Sequence, residues 1–172
     1  MYRNDNDKKY ALLAAIFAVL LFTLAACGKQ MRELGGAHDI AFRVYEQAGL
    51  DTRGMSEERI TAAESYIIGI SGEDFRENVA EAGIYRPSAL SAEQSLCVVV
   101  AKSEPCAQEI FEEMCESYDW PPCDPAESAV FMQYGKYILL GKDSAEGARA
   151  LCEAFRTETD GEVKTDFSQN PM

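Results

Sequence analysis

The stretch Leu96-Cys97-Val98-Val99-Val100-Ala101-Lys102-Ser103 carries the clearest structural signal in this chain. Its first six residues are apolar without interruption and rich in β-branched side chains, which is typical of a strand buried on both faces and central in its sheet. Ser103 is a favoured N-cap residue, and Pro105 is tolerated in a first helical turn because its missing N–H has no partner there. The stretch therefore predicts a central strand that passes directly into a helix.

The elements after this strand alternate between helical and strand patterns. The predicted helix carries an apolar stripe that we interpret as core: Ala107, Ile110, Phe111, Met114 and Tyr118. Three prolines within 119–125 exclude a helix or a sheet ladder in that segment. Residues 128–133 and 137–141 predict a β-hairpin around Gly135. A last helix, capped by Asp143 or Ser144, turns four apolar side chains inward: Ala148, Leu151, Cys152 and Phe155.

The predicted architecture rests on a weak internal sequence similarity. Residues 98–103 match residues 138–143 at an offset of 40, and the two helix stripes follow in the same register. This similarity predicts two strand-strand-helix units, with the first strand ending near 84–85. The predicted fold class is therefore α+β, a four-stranded antiparallel sheet with both C-terminal-half helices on one face. Predicted N-terminal helices at 39–48 and 56–67, and a capped turn at Ser71, complete it.

The N-terminus has the layout of a bacterial lipoprotein signal. Basic Arg3, Lys8 and Lys9 precede an apolar run at 11–24, and the segment Leu24-Ala25-Ala26-Cys27 reads as a lipobox. Leu24, Ala25 and Ala26 are the expected recognition residues of the signal peptidase, and Cys27 is the expected lipidation site, because its thiol can form a thioether to a diacylglyceryl group. Two acyl chains, such as palmitate, give stable anchoring. We therefore expect the protein at the cell membrane, lipid-anchored on the extracytoplasmic face.

The predicted domain organisation follows from this signal. It has a signal peptide at 1–26, a flexible lipid-anchored stalk at 27–36, a single α+β domain at 37–157 and a polar, disordered tail at 158–172. The alternative is that residues 10–27 stay uncleaved and span the bilayer as a helix, with the basic flank inside. Both alternatives place the domain on the same side of the membrane.

The net charge of the chain limits the classes of partner that it is expected to bind. Without residues 1–26, 13 basic and 27 acidic residues remain, a net charge of −14. Such a domain is repelled by phosphate backbones and anionic lipid surfaces, so nucleic acid is not an expected partner. We expect the membrane as a partner only through the diacylglyceryl anchor, together with an envelope protein or a glycan.

Five cysteines remain once Cys27 is assigned to lipid: Cys97, Cys106, Cys115, Cys123 and Cys152. An odd number leaves at least one thiol free or paired with another molecule, and none lies in a Cys-x-x-Cys motif. Cys115 with Cys123 is the sterically easier disulfide pair. We nevertheless interpret most of the five cysteines as small buried hydrophobic residues.

The catalytic inventory is poor, and we predict a protein that is not an enzyme. The single histidine, His38, lies near the stalk, where a solvated role is the more common one. Acidic pairs such as Glu57-Glu58 are sequential and therefore splay apart. No phosphate-binding glycine motif or calcium loop is present in the sequence, so no cofactor or metal is predicted.

A candidate binding surface surrounds the proline loop at 120–125. Tyr118, Trp120, Tyr134 and Tyr137 flank this rigid loop, and such aromatics can form a stacking platform for a sugar or a peptide. The alternative is that Trp120 plugs the end of the sheet and the prolines hold that plug in place.

Four segments occur in an order that resembles a family of small lipoproteins from Gram-positive anaerobes, known as domain of unknown function 4358. They are Tyr66-Ile67-Ile68-Gly69-Ile70, Ala92-Glu93-Gln94-Ser95-Leu96, Cys123-Asp124-Pro125-Ala126-Glu127 and Tyr134-Gly135-Lys136-Tyr137-Ile138-Leu139-Leu140. The resemblance spans most of 37–157 and implies an exported, lipid-anchored protein with no assigned activity, so no site residue is carried over. The chain departs from the family in its extra cysteines and in Trp120-Pro121-Pro122.

Three functions remain open at this point. The leading hypothesis is a non-enzymatic binding or accessory module of the cell envelope. The alternative is a thiol-active extracytoplasmic enzyme using Cys123, although its neighbour Asp124 would raise a thiol pKa rather than lower it. A third hypothesis is a purely structural partner in a membrane complex.

Overall fold

The computed structural model describes residues 31–88 and 93–170 of the chain, and those from Glu33 onward form one unit. Within the described ranges it contains four α-helices, one 3-10 turn at Ser65–Ile68 and six strands. The helices are α1 (Ala37–Gln47), α2 (Gly72–Asn78), α3 (Glu104–Ser117) and α4 (Ala145–Glu158). The strands are β1 (Ser56–Arg59), β2 (Val79–Arg86), β3 (Ser95–Ala101), β4 (Ser128–Tyr134), β5 (Tyr137–Asp143) and β6 (Lys164–Gln169).

The six strands form one antiparallel sheet in the order β1-β2-β3-β5-β4-β6. Strand β3 is buried at all seven positions and is flanked by β2 and β5, so the prediction of a central strand is confirmed. The β4–β5 hairpin is confirmed as well.

Helix starts follow the local capping chemistry of the sequence. The side chains of Ser71, Ser103 and Ser144 each accept a hydrogen bond from a backbone N–H three residues later, at α2, α3 and α4. These caps satisfy N–H groups that a helix itself leaves without partners. The predicted starts of the three helices are thereby confirmed.

Helices cover both faces of the sheet. Alternate residues of β3 point in opposite directions and therefore contribute to two separate cores. The first core contains Leu96, Val98 and Val100 of β3 and lies under α1 and α4. The second core contains Cys97, Val99 and Ala101 and lies under α3. The sheet is therefore the middle layer of three.

The predicted four-stranded sheet with both C-terminal-half helices on one face is wrong. The sheet has six strands, and α3 covers the second core whereas α4 covers the first. The register gives the reason: Val99 pairs with Ile138, so Val99 and Leu139, its match at the offset of 40, point to opposite faces. Helix α3 covers the face to which Val99 points, whereas α4 covers the face to which Leu139 points. The two units consequently have opposite hands, which argues against a simple duplication.

The second predicted N-terminal helix, 56–67, is also wrong. Residues Ser56–Arg59 form the edge strand β1 against β2, and helical structure begins only at the 3-10 turn. The backbone of β2 needs partners along that edge, and pairing there outweighs the helical pattern of the segment. The predicted first helix, 39–48, is confirmed as α1.

The domain begins before the predicted boundary at 37. Leu34 is only 2 % exposed and belongs to the first core. Its backbone N–H donates to the Tyr137 hydroxyl at 3.0 Å, and that hydroxyl donates to the Glu33 carboxylate at 2.6 Å. Residues 33–36 are therefore attached to the domain rather than part of a free stalk.

The tail contains a strand that was not predicted. Residues Lys164–Gln169 form β6, which pairs with β4 from Ser128 to Gln133. Strand β4 is buried at every position, so its outer edge would otherwise present unpaired backbone groups. The disordered tail predicted for 158–172 is wrong over this stretch.

Candidate functional site

The predicted aromatic surface is only half assembled. The rings of Tyr118 and Trp120 meet edge to face, with centroids 5.7 Å apart, and Tyr118 makes a similar contact with Phe131 at 5.6 Å. Trp120 is partly buried against the second core, and its indole N–H donates to the Ser168 hydroxyl at 3.2 Å. This arrangement matches a plug at the sheet more closely than an open platform.

Tyr134 and Tyr137 lie on the opposite face of the sheet. Both belong to the first core, where Tyr134 is 8 % and Tyr137 is 2 % exposed. The four predicted binding residues therefore do not share one surface. The cause is the strand alternation, which the sequence spacing of the four aromatics does not reveal.

A pocket on the second-core face lies at one end of the sheet, and we call it the strand-end pocket. Its floor consists of i and i+2 pairs on three neighbouring strands: Ile84 and Arg86, Ser95 and Cys97, Leu140 and Lys142. The register aligns them, since Cys97 pairs with both Ile84 and Leu140 while Ser95 pairs with Lys142. All six side chains consequently point to the same face.

The roof of the pocket comes from segments outside the sheet: Ile67, Ile68, Tyr118 and Pro121. Gly69 brings two of these segments together, because a Cβ atom at Gly69 would lie 2.9 Å from the backbone nitrogen of Tyr118. The volume of this partly open cavity is about 160 Å³. A cavity of this size has room for several water molecules, so the pocket suits a small ligand.

The charged side chains that line the pocket within the described residues, Arg86 and Lys142, are both basic. The Lys142 ammonium lies 2.6 Å from the carboxylate of Asp124, whose side chain is 5 % exposed. Arg86 contacts Glu58 at 3.3 Å, in an exposed pair. A basic lining is unusual in a chain with net charge −13, and it favours an anionic group over a cationic one.

The Lys142–Asp124 pair also holds the proline loop against the pocket. The second carboxylate oxygen of Asp124 accepts from the backbone N–H of Ala126 at 3.0 Å, and the Asn170 side chain donates to the backbone oxygens of Asp124 and Ala126. The loop that supplies Pro121 is thus fixed from both the sheet and the tail.

Two groups that line the pocket, one in the roof and one in the floor, are held in their protonated forms. Burial, followed by the nearby Asp124 charge, raises the pKa of Tyr118, whose hydroxyl is enclosed and has no hydrogen-bond partner within the described structure. Burial raises the pKa of the Cys97 thiol to about 12. Because the thiolate is the reactive form, Cys97 is not a nucleophile at neutral pH and contributes apolar lining instead.

The raised pKa of Cys97 predicts a loss of stability at alkaline pH. The unfolded chain loses the thiol proton near pH 9, whereas the folded chain keeps it up to about pH 12. The stabilisation is therefore complete below pH 9 and declines between pH 9 and 12, by up to ~1.4 kcal/mol per pH unit. Burial also raises the pKa of Tyr45, Tyr85 and Tyr118, which adds to the decline above pH 10. Urea unfolding from pH 8 to 11 measures this slope.

Cys97→Ala is the matched variant for this measurement. It is expected to be less stable at pH 8 but to show a shallower decline than the parent between pH 9 and 10, where the tyrosines contribute little. Parallel curves for the two proteins over that interval would contradict the assignment.

The other cysteines do not form disulfides in the described structure, so the Cys115–Cys123 pairing is not present. Burial raises the pKa of Cys115 to about 11. Cys123 is exposed, but the adjacent Asp124 side chain binds Lys142, and the one histidine contacts Glu57 on the first-core side, 2.9 Å away. In the described part of the chain, Cys123 therefore has no histidine base of the kind that thiol nucleophiles use, and the thiol-active alternative stays a prediction.

The predicted lipidation site and its recognition residues, Leu24, Ala25, Ala26 and Cys27, lie outside the described residues, as does the alternative membrane span at 10–27. None of the described helices has the length and hydropathy required to cross a bilayer. Within 31–88 and 93–170, no three His, Cys, Asp or Glu side chains come close enough together to hold a metal ion.

Sequence reasoning missed most of the pocket. Arg86 and Lys142 each sit two residues beyond an apolar residue at the end of a strand, and this pattern is visible in the sequence. That the two cations lie on the same face, one strand apart, depends on the pairing of β2 and β5 with β3. Tyr118 and the proline loop are the parts of the site that the sequence did indicate.

No protein-family model, curated protein or solved structure matches this chain. The resemblance to the lipoprotein family of unknown function therefore gains no support from these comparisons and stays a prediction.

Proposed function

We propose that this chain is a lipid-anchored extracytoplasmic protein that serves as a non-enzymatic binding module of the cell envelope, with the strand-end pocket as its ligand site. The observation that carries the proposal is the pocket itself, a preformed concavity whose floor is built on three paired strands. Sites on regular elements are held more precisely than sites on loops, as ligand binding requires.

Glu33, where the described domain begins, and the pocket lie at opposite ends of β5. The N-terminal segment joins the domain at Glu33, which contacts Lys136 and Tyr137 at the β4–β5 turn. The pocket lies at the other end of β5, at Lys142, five residues further along the strand. At about 3.4 Å per residue, these two points are roughly 17 Å apart along β5.

The proposed localisation rests on the lipobox. Expression of the full chain in a Gram-positive host tests this localisation. Membrane fractionation with intact-mass analysis is expected to find the protein on the membrane, without residues 1–26 and with a diacylglyceryl group on Cys27. The Cys27→Ala variant is expected to keep its N-terminal segment and carry no lipid. A parent protein that retains residues 1–26 and has no acyl group would overturn the proposed localisation.

A fragment screen on the detergent-solubilised full chain tests the pocket. The one tryptophan lies next to Pro121 in the chain, so its fluorescence reports on ligands that reach the roof. Fragments that change this fluorescence are expected to lose their effect in Ser95→Leu, which fills the floor. Ser117→Leu, at an exposed position on α3, is the matched control and should leave binding intact. A screen without any Ser95-sensitive ligand would contradict a binding role for the pocket.

A further inference from the structure

We propose that the strand-end pocket takes a small free monocarboxylic acid, with the carboxylate between Arg86 and Lys142 and an apolar body on the isoleucine and leucine side chains. This inference rests on the proposed binding function and names the class of ligand. It follows from the placement of two cationic groups beside an apolar floor and roof in a cavity of about 160 Å³.

Both cations have donors to spare for a carboxylate. A guanidinium carries five N–H donors and an ammonium three. In the described structure the side chain of Arg86 makes one long hydrogen bond, 3.3 Å to Glu58, and that of Lys142 makes one, 2.6 Å to Asp124. The fork of a guanidinium matches the two oxygens of a carboxylate, so Arg86 is the expected anchor of the anion.

Partners of the two cations make the site selective for one negative charge. Asp124 is nearly buried and remains paired with Lys142, which limits the positive charge that the pocket can offer. Glu58 is exposed, so its weak contact with Arg86 is readily exchanged for a ligand carboxylate. A second carboxylate on the ligand would lie near the negative charge of Asp124 and would have no cation left to pair with. The pocket therefore disfavours dicarboxylic acids.

Apart from the hydroxyl groups of Ser95 and Tyr118, the remaining lining is apolar and fixes the other end of the ligand. Ile67 and Ile68 form the roof, while Ile84 and Leu140 form the floor beside the protonated thiol of Cys97. A sugar would leave many hydroxyl groups without hydrogen bonds against this surface. A short branched or aromatic body satisfies it, and a volume of about 160 Å³ favours a small molecule over a peptide chain as the main occupant.

Isosteric acid and amide pairs test the inference on the full chain in detergent. Calorimetry and tryptophan fluorescence with phenylacetate and isovalerate are expected to show affinities at least about tenfold higher than those of phenylacetamide and isovaleramide. Arg86→Gln is expected to remove this preference, whereas Arg53→Gln, an exposed arginine paired with Asp51, should keep it. Arg86 is preferred over Lys142 for substitution because loss of Lys142 would strand the buried Asp124.

The possible failures of this experiment are distinguishable. Equal affinity for acid and amide, both sensitive to Ser95→Leu, would overturn the carboxylate class but leave the proposed binding function in place. Tighter binding of N-acetyl-leucine than of isovalerate would reassign the pocket to peptide C-termini and overturn the inference. Absence of any Ser95-sensitive binding, by acid, amide or fragment, would remove the proposed function together with it.

Discussion

Phe155→Ala is expected to lower the free energy of unfolding by about 3–5 kcal/mol, a large part of the stability of a domain of this size. Phe155 is completely buried on α4, in the first core against α1 and the sheet. Removal of the ring loses its transfer free energy and leaves a cavity that the neighbouring helices and sheet cannot fully close. Urea unfolding followed by circular dichroism measures the loss.

Phe42→Ala is the control for this variant. Phe42 lies on α1, on the same side of the sheet, but is 36 % exposed, so its truncation is expected to cost less than about 1 kcal/mol. Because the strand-end pocket is on the opposite face, Phe155→Ala protein that is still folded at low temperature is expected to bind pocket ligands normally. Similar losses at the two positions would contradict the assignment of Phe155 to the core.

Ending the chain after Gly161 is expected to lower the free energy of unfolding by about 2–4 kcal/mol. The deletion removes β6 and its six register pairs with β4, each hydrogen bond being worth a net ~0.5–1.5 kcal/mol before the cost of ordering the strand. It also removes Ser168, the hydrogen-bond partner of Trp120, and Asn170, which holds the proline loop. Urea unfolding gives the stability, and the tryptophan emission is expected to shift to longer wavelength.

The truncated chain should also associate at high concentration, because the exposed edge of β4 can pair with another molecule. Phe167→Ser is the matched control, since this side chain is 47 % exposed and its replacement keeps the strand. Parent-like stability and solubility of the truncated protein would show that β6 does not contribute to the fold.

Features that depend on neighbouring residues were predicted correctly from the sequence, whereas features that depend on distant partners were not. Ser71, Ser103 and Ser144 cap helices through contacts three residues away, so the signals were local and the helix starts were predicted. Strands β1 and β6 are short, polar edge strands. Their own residues do not indicate a strand strongly, and they form because β2 and β4 have backbone edges to satisfy.

The candidate site divides in the same way. Trp120 and the proline loop stood out because prolines and aromatics are conspicuous in any sequence. Arg86 and Lys142 are far apart in the sequence, and only the registers of β2 and β5 on β3 bring them to the same face, one strand apart. A shift of either strand by one residue would turn its cation to the opposite face.

The sequence by itself determined the strand-to-helix passage at 96–103, the hairpin, the helix caps and the strongly acidic balance of the chain, because each depends on neighbouring residues or on composition alone. Only the tertiary structure decided which face each helix covers, which segments close the sheet edges and which charges line the pocket. Those choices depend on strand register and on the pairing of distant backbone groups, which no local pattern of residues encodes.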